Sequence, residues 1–540
     1  MPLHLNINSE DIQPTPGRTL FDHAEGVGIQ VPTSCLKQGK CRECLMEIVE
    51  GMSLLSEPAE EEAHLKDKFR LSCRTTIVAD KGTIRCHTMR RTEMRIVEDA
   101  TPLPGNLSPN QLQPAVTRDG DRIFLDGRQI AQSDQPIYGL AMDLGTTTIV
   151  LRLMNLETGR MVASTSFENP QRFGGSDIMA RIKFDTDNKG KLLQRTLLGY
   201  LSRAIQAFPV DPLTIYELVV AANSTMRDLF FGLNVESIGQ KPYWSLTEHE
   251  LREGQRETTS LSAAPKRLRL PLHPEGRVYG LPLISGHVGA DAAACLLAID
   301  LAREDRLVAL MDIGTNTELI VGHRGKILAA SCPAGPAFEG GAITCGMPGL
   351  IGAIQRVSLG DDGSIGFDVI GDTQPEGICG SGLVDLMGEL LRTQRMNHMG
   401  RFTNGKAFLE LDAEHAIRFY ENDISELAQA KGANVAGLKI VANRYGITFD
   451  DLDLFYLAGG FARHLDVAAA RRIGLIPDLP DEKIVQVGNA SIEGAEIGLL
   501  SLPRRRELES MVQTIEHVEL ETDPEFFNHF VDGCQFIAVR

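Results

Sequence analysis

The sequence predicts a multidomain chain in three parts: a small α+β unit, a linker and a two-lobed α/β unit. Three observations predict it. Of ten cysteines, Cys35, Cys41, Cys44, Cys73 and Cys86 crowd into the first 86 residues. Pro102, Pro104, Pro109, Pro114 and Pro136 then punctuate a polar stretch. Finally, Gly139-Leu-Ala-Met-Asp-Leu-Gly-Thr-Thr-Thr recurs as Ala309-Leu-Met-Asp-Ile-Gly-Thr-Asn-Thr, 169 positions on. The expected boundaries are 1–92 for the cysteine-rich unit, 93–136 for the linker, 137–303 for the first lobe and 304–540 for the second.

A chain of 540 residues has room for three or four domains of about 150 residues. With 43% hydrophobic and 23% charged residues it has a globular profile. No apolar run of about 18 residues suggests a membrane span. The first residues carry no basic patch ahead of an apolar run, so a cytoplasmic location is expected. A net charge of −18 argues against general binding to nucleic acid or anionic membranes. Ten cysteines are too few for a disulfide scaffold, so a tight cluster points to metal or catalysis.

In the first part, Leu3-His-Leu-Asn-Ile alternates as a strand does. A Pro/Gly turn at Pro14 to Gly17 precedes a short helical stretch from Thr19 to Glu25. Cys44-Leu-Met-Glu-Ile-Val reads as a strand, Glu57 to Lys68 as a charged helix, and Gly82 to Cys86 as a last strand. The linker has one hairpin-like segment, Arg122 to Ile130. From Tyr138 onward strands alternate with amphipathic helices. Each repeat copy continues with a second apolar strand, a glycine turn (Thr158-Gly-Arg, Arg324-Gly-Lys) and a third strand. Two similar lobes would enclose a cleft, a common place for a ligand.

Cys35-x5-Cys41-x2-Cys44, with Cys73 remote, has the makings of a metal-cluster loop. Such a loop must turn its amides toward the sulfurs, and Gly39 allows the close turn. Zinc would prefer paired C-x2-C knuckles. Reduced, unligated thiols are the other alternative. Together with Val31-Pro-Thr-Ser-Cys and Leu71-Ser-Cys-Arg-Thr, the spacing resembles 2Fe–2S ferredoxins of the wider, adrenodoxin-like kind, over about residues 3 to 88. The resemblance implies a β-grasp domain whose 2Fe–2S cluster is held by Cys35, Cys41, Cys44 and Cys73, with Cys86 a buried spare thiol.

Asp143-Leu-Gly-Thr-Thr-Thr and Asp312-Ile-Gly-Thr-Asn-Thr each end an apolar strand and open a hairpin. Gly145 and Gly314 let backbone approach a phosphate, and the hydroxyl and amide groups that follow can donate to it. Asp143 and Asp312, facing each other, could hold Mg²⁺ through water and orient an attacking water. Further on come a glycine loop entering a helix, Gly377-Ile-Cys-Gly-Ser-Gly-Leu-Val-Asp385, and a buried strand, Asp453-Leu-Phe-Tyr-Leu-Ala, that ends in Gly459 and Gly460. This order resembles the acetate and sugar kinase, Hsp70 and actin (ASKHA) superfamily over residues 138 to 540. The resemblance implies a first phosphate loop of Asp143, Gly145, Thr146 and Thr147, and a second of Asp312, Gly314, Thr315 and Asn316. It implies nucleoside contact at Gly459 and Gly460. Gly380, Ser381, Gly382 and Asp385 resemble the helix that connects the lobes. There is no G-x-x-x-x-G-K-[ST] loop.

The combination of 2Fe–2S domain, linker and ASKHA unit resembles the reductive activators of corrinoid proteins. Asn169-Pro-Gln, Asn223-Ser-Thr-Met, Val288-Gly-Ala-Asp291, Ala334-Gly-Pro-Ala-Phe-Glu339-Gly and Val487-Gly-Asn-Ala carry the likeness nearly end to end. It implies one-electron reduction of Co(II) to Co(I) driven by ATP and Mg²⁺. The partner would be a corrinoid protein: a methyltransferase system, a corrinoid iron–sulfur protein or a cobalamin methionine synthase. A low-potential electron donor and a homodimer are expected as well. The rival readings are a nucleotide-binding electron-transfer scaffold without turnover and a small-molecule kinase with a redox-sensing module. Glu339 reads as a helix-start residue or as an Mg²⁺-ordering carboxylate. Cys332, Cys345 and Cys379 read as buried structural thiols, and Cys534 stands alone.

Overall fold

The computed structural model describes residues 2–29, 31–33, 35, 37–66, 68–89, 103–460 and 462–540. Residues 90–92 of the expected first unit, 93–102 of the expected linker, and Ser34 and Leu36 of the cysteine motif lie outside the described residues. The chain forms two compact units. The first joins the N-terminal part to Leu107–Leu281 and Ala495–Arg505. The second consists mainly of Pro282–Gly494 and Arg506–Arg540.

The N-terminal domain is a five-stranded sheet in the order Glu10–Ile12, Leu3–Ile7, Gly82–Thr88, Leu45–Glu50, Phe69–Leu71. Leu3–Ile7 runs parallel to Gly82–Thr88, and the other pairs are antiparallel. The helix Leu20–Gly26 packs on it, started by Thr19, whose side chain accepts from the Asp22 amide at 3.1 Å. Leu5, Ile7, Leu20, Met46, Ile48, Ile84 and Cys86 form the core between helix and sheet. This is the β-grasp arrangement.

Among the described residues of 57–68 the expected helix does not form; they hold the 3-10 turn Glu60–Glu62. Burial of Glu62 explains it. That carboxylate accepts from Arg70 at 2.9 Å, from the Leu71 amide at 2.7 Å and from the Ala59 amide at 2.8 Å. A charge pattern that suits an exposed helix instead pins a loop against a strand.

The linker holds more than the expected hairpin. Val116–Asp119, Arg122–Leu125 and Arg128–Gln132 make a three-stranded antiparallel sheet. Its second turn is Asp126-Gly127, with φ of 49° and 80°, the left-handed pair that a tight hairpin takes.

Each unit contains one six-stranded sheet built on one copy of the repeat. In the first unit the order is Met161–Glu168, Thr148–Asn155, Tyr138–Leu144, Ile215–Ala222, Arg277–Gly280, Leu261–Ala263. In the second it is Ile484–Gly488, Leu454–Ala458, Val308–Ile313, Thr317–His323, Lys326–Cys332, Glu516–His517. In both, the repeat strand pairs antiparallel with its hairpin partner and parallel with a strand from much later in the chain. Both faces of the central strands are buried, so they are mostly apolar: every residue of Ile215–Ala222 is buried, with Glu217 the one charged member. Among the described residues no helix is long and apolar enough to cross a membrane.

Candidate functional site

In the cysteine loop, Lys37, Gly39 and Arg42 take φ of 64°, 74° and 62°, so the chain curls repeatedly to the left. Glycine eases position 39, where a Cβ would lie 3.1 Å from Arg74 Cδ and that side chain would have to give way. Lys37 anchors the curl by donating to Asp22 and Glu25, each at 2.8 Å.

The curl turns amides onto sulfur. Burial would raise the Cys35 thiol, but the Cys41, Gln38 and Lys40 amides and the Cys41 side chain outweigh it and bring it to about 7. Cys73 is lowered by its bond from Cys44, helped by the Gly39 amide. Cys44 donates to Cys73 across 3.2 Å, and both are buried. Cys35 and Cys41 are half-buried. The four sulfurs thus fall into two pairs in an amide-lined loop, which fits the four-thiolate demand of a 2Fe–2S cluster. Ser72 fastens the segment that carries Cys73, its amide and hydroxyl donating to the Cys44 carbonyl at 2.8 and 2.9 Å. Cys86 lies elsewhere, fully buried in the small core, and burial pushes its thiol up to about 12.

The loop rests on the helix Leu192–Gln206 of the same unit. Arg203 donates to the Thr33 carbonyl and pairs with Glu43 at 3.6 Å. A Cβ on Gly199 would come within 2.9 Å of Glu43 Cδ, so helix backbone and loop touch. Glu47 pairs with Arg172 at 3.5 Å. Beneath these pairs Phe21, Cys44, Phe69 and Leu71 share one apolar core with Phe167, Leu197 and Leu201.

The first repeat hairpin is held by polar side chains. Gly145 donates its amide to the Thr148 carbonyl at 3.0 Å, and a Cβ there would lie 2.6 Å from that oxygen. Asn169 donates to the Gly145 carbonyl at 2.8 Å, and its amide reaches the Thr147 carbonyl at 2.7 Å. Asn223 caps the helix Ser224–Phe231 and donates to the Thr146 hydroxyl at 3.0 Å. The fully buried Arg181 donates to the Thr146 carbonyl at 2.6 Å. Asp143 ends its strand, opposite Val150 and Ala221.

The second hairpin stands in the second unit. Gly314 donates to the Asn316 carbonyl at 3.1 Å. The Thr315 hydroxyl donates to Glu339, which lies on the 3-10 turn Pro336–Glu339 rather than at a helix start. Asp312 accepts from the Cys295 thiol at 3.5 Å. Behind it Glu318 is buried, and burial, then the Asp291 and Asp312 charges, hold its carboxyl well above the usual range. Gly459, at φ 123°, lies against the strand end of this loop: a Cβ would meet the Ile313 carbonyl at 2.3 Å. A Cβ on Gly460 would face open space. The helix Gly380–Arg392 lies wholly in the second unit, where a Cβ on Gly382 would sit 2.4 Å from the Ile354 carbonyl. Ser381 donates to the Gln355 carbonyl at 3.0 Å.

Arg181, Glu318 and Tyr200, which lies in the helix under the cysteine loop, went unnoticed in the sequence. A lone Arg or Tyr on a helix, or a Glu in a strand, carries no short-range signature.

Comparison with known proteins agrees with this layout. Residues 3–78 match the 2Fe–2S iron–sulfur cluster binding domain, 138–304 the RACo middle region, and 306–539 the C-terminal domain of RACo, the ASKHA domain. The chain is 27% identical to the corrinoid activation enzyme RamQ of Eubacterium limosum, over 98% of both chains. It is 25% identical to a [Co(II) methylated amine-specific corrinoid protein] reductase of Methanosarcina barkeri, over 73% of this chain and 76% of that one. A solved reductive activator for corrinoid, iron-sulfur protein superposes with a TM-score of 0.71 at 24% identity, covering 99% of this chain and 98% of that one.

Proposed function

The chain belongs to the RACo family, a 2Fe–2S ferredoxin domain joined to RACo middle and ASKHA regions, and from that premise we propose that it reactivates a corrinoid protein by reducing Co(II) to Co(I). The observation that carries the proposal is the amide-lined loop presenting Cys35, Cys41, Cys44 and Cys73 in two pairs. Those residues would hold the cluster, which when bound supplies one electron at about −400 mV. For one electron each shortfall of about 59 mV is tenfold in equilibrium. A shortfall of a few hundred millivolts therefore leaves almost no Co(I) unless the transfer is coupled to a favourable reaction. ATP hydrolysis is the coupled reaction that an ASKHA region supports.

On this reading Gly145, Thr146 and Thr147 bind phosphate in one unit, and Gly314, Thr315 and Asn316 in the other. Asp143 and Asp312 are the carboxylates assigned to Mg²⁺ and the attacking water. Gly459 and Gly460 leave backbone bare for the nucleoside, and Gly380, Ser381 and Gly382 shape the nearby helix start. The reading includes a low-potential electron donor upstream, a cytoplasmic setting and a homodimer.

The test is anaerobic purification followed by reconstitution with oxidised corrinoid protein. The proposal expects about two irons per chain, ATP turnover stimulated by the corrinoid protein, and the Co(I) spectrum appearing only with ATP. Zinc in place of iron, or ATP turnover indifferent to the corrinoid protein, would overturn it.

A further inference from the structure

Arg181, on the helix Ile178–Asp187, is fully buried, and its three guanidinium nitrogens donate to three separate parts of the first unit. Nε reaches the Gly175 carbonyl at 3.0 Å, Nη1 the Met226 sulfur at 3.1 Å and Nη2 the Thr146 carbonyl at 2.6 Å. Burying a cation is costly, so a chain keeps one where its rigid fork meets several acceptors at once. Met226 is a shared point. Its sulfur also accepts from Asn169 Nδ2 at 3.8 Å, and the same Nδ2 donates to the Gly145 carbonyl at 2.8 Å. Two successive carbonyls of the first hairpin, Gly145 and Thr146, are therefore drawn toward one cluster of Arg181, Asn169 and Met226. Asn223, which caps the helix that carries Met226, adds a further hold by donating to the Thr146 hydroxyl at 3.0 Å.

A trans peptide is planar, and its N–H points away from its C=O. A carbonyl pulled to the rear thus turns the next amide to the front. The Gly145 carbonyl directs the Thr146 amide, and the Thr146 carbonyl directs the Thr147 amide. Successive amides turned one way form an anion-binding concavity. We propose that Arg181 is the positioning residue of this hairpin: by holding the Thr146 carbonyl from behind it aims the Thr147 amide at a bound phosphate, and so sets how much tighter a nucleoside triphosphate binds than its nucleoside. The inference rests on the phosphate reading of Gly145, Thr146 and Thr147 above. Arg181 touches no phosphate on this account; it acts through the peptide it holds. Lysine is no substitute, because one ammonium on a flexible stem does not span three acceptors on separate elements.

The experiment measures the affinity of the full chain for ATP and for adenosine separately, by calorimetry. Nucleoside contact is assigned to Gly459 and Gly460, outside this hairpin, so adenosine reports folding and the ratio of the two affinities reports the phosphate contacts. Arg181→Met removes the fork and keeps an unbranched side chain. The ratio should fall roughly tenfold while adenosine affinity holds within about twofold. Arg181→Lys should lower the ratio as well, and is read in place of Arg181→Met if that variant does not fold. A general loosening of the packing would instead weaken both ligands alike. Amide hydrogen exchange of the wild type gives a reading that needs no variant: ATP, and not adenosine, should slow exchange in the segment 145–148. A folded variant that keeps the wild-type ratio overturns the inference, and so does wild-type exchange at 145–148 that ATP leaves unaltered. A wild type that binds ATP no tighter than adenosine would overturn the phosphate reading itself.

Discussion

The Thr315 hydroxyl donates to Glu339, tying the second repeat hairpin to the turn that follows the third strand of the same repeat. This contact gives Glu339 a concrete task. A charged acceptor fixes the hydroxyl rotor in the loop proposed to bind phosphate.

Replacing that acceptor by a neutral one should loosen the rotor. Hydrogen bonds to charged groups are worth about 1 kcal/mol more than neutral ones. Glu339→Gln is thus expected to lower kcat/KM for ATP roughly tenfold while visible absorption from the cluster is unchanged. ATP turnover at the wild-type rate would show that Glu339 is only structural.

Cys41→Ser removes one of the half-buried sulfurs of the amide-lined loop. The variant should lose iron and visible absorption and fail to reduce Co(II). Nucleotide affinity, measured by fluorescent-analogue titration, should stay within about twofold. Joint loss of both properties would mean that loop integrity controls the nucleotide region.

Asp312→Asn leaves the sulfur loop untouched and changes a strand-end carboxylate beside Cys295. Full cluster absorption with ATP-driven Co(II) reduction down at least a hundredfold is expected from the loss of a metal-ordering charge. ATP-dependent reduction at an undiminished rate would reject its assignment.

Asp385 offers a test by pH. Burial pushes its carboxyl up to about 6, with Arg356 at 3.5 Å opposing. Its Oδ1 has no hydrogen-bond partner among the described residues. In the unfolded chain the group titrates near 3.8. Between those two values the folded chain carries a proton that the unfolded chain has lost. Stability therefore falls as pH rises from about 4 to about 6, and the deficit, up to about 3 kcal/mol, persists above. Asp385→Asn should melt with the wild type near pH 4 and above it near pH 8. A constant gap in Tm across that range would contradict the assignment.

Much of this layout was readable in the sequence because its signals are local. The two Asp-x-Gly-Thr hairpins each contain their strand, turn glycine and hydroxyls within ten residues. The cysteine loop declares itself by spacing. What stayed hidden depends on residues far apart in the chain. Arg181 reaches Thr146 from 35 positions away, and Arg203 meets Thr33 across 170. Glu62 shows the same limit from the other side. Its neighbourhood has helical composition, but a strand arginine eight residues on takes its carboxylate, and tertiary contact overrides propensity. Asn169 and Asn223 were visible as motif residues, yet their work as props of the first loop appears only when the hairpin is folded.

The apolar core that Phe21, Phe69 and Leu71 share with Phe167, Leu197 and Leu201 constrains how this chain can be engineered. A chain cut in the linker would bare a greasy flank on either piece, and both fragments should be prone to clump. Grafting a foreign ferredoxin onto the remainder would succeed only if the graft brings matching residues for the Leu192–Gln206 face. The cysteine-rich module and its neighbour are in that sense packed as a pair.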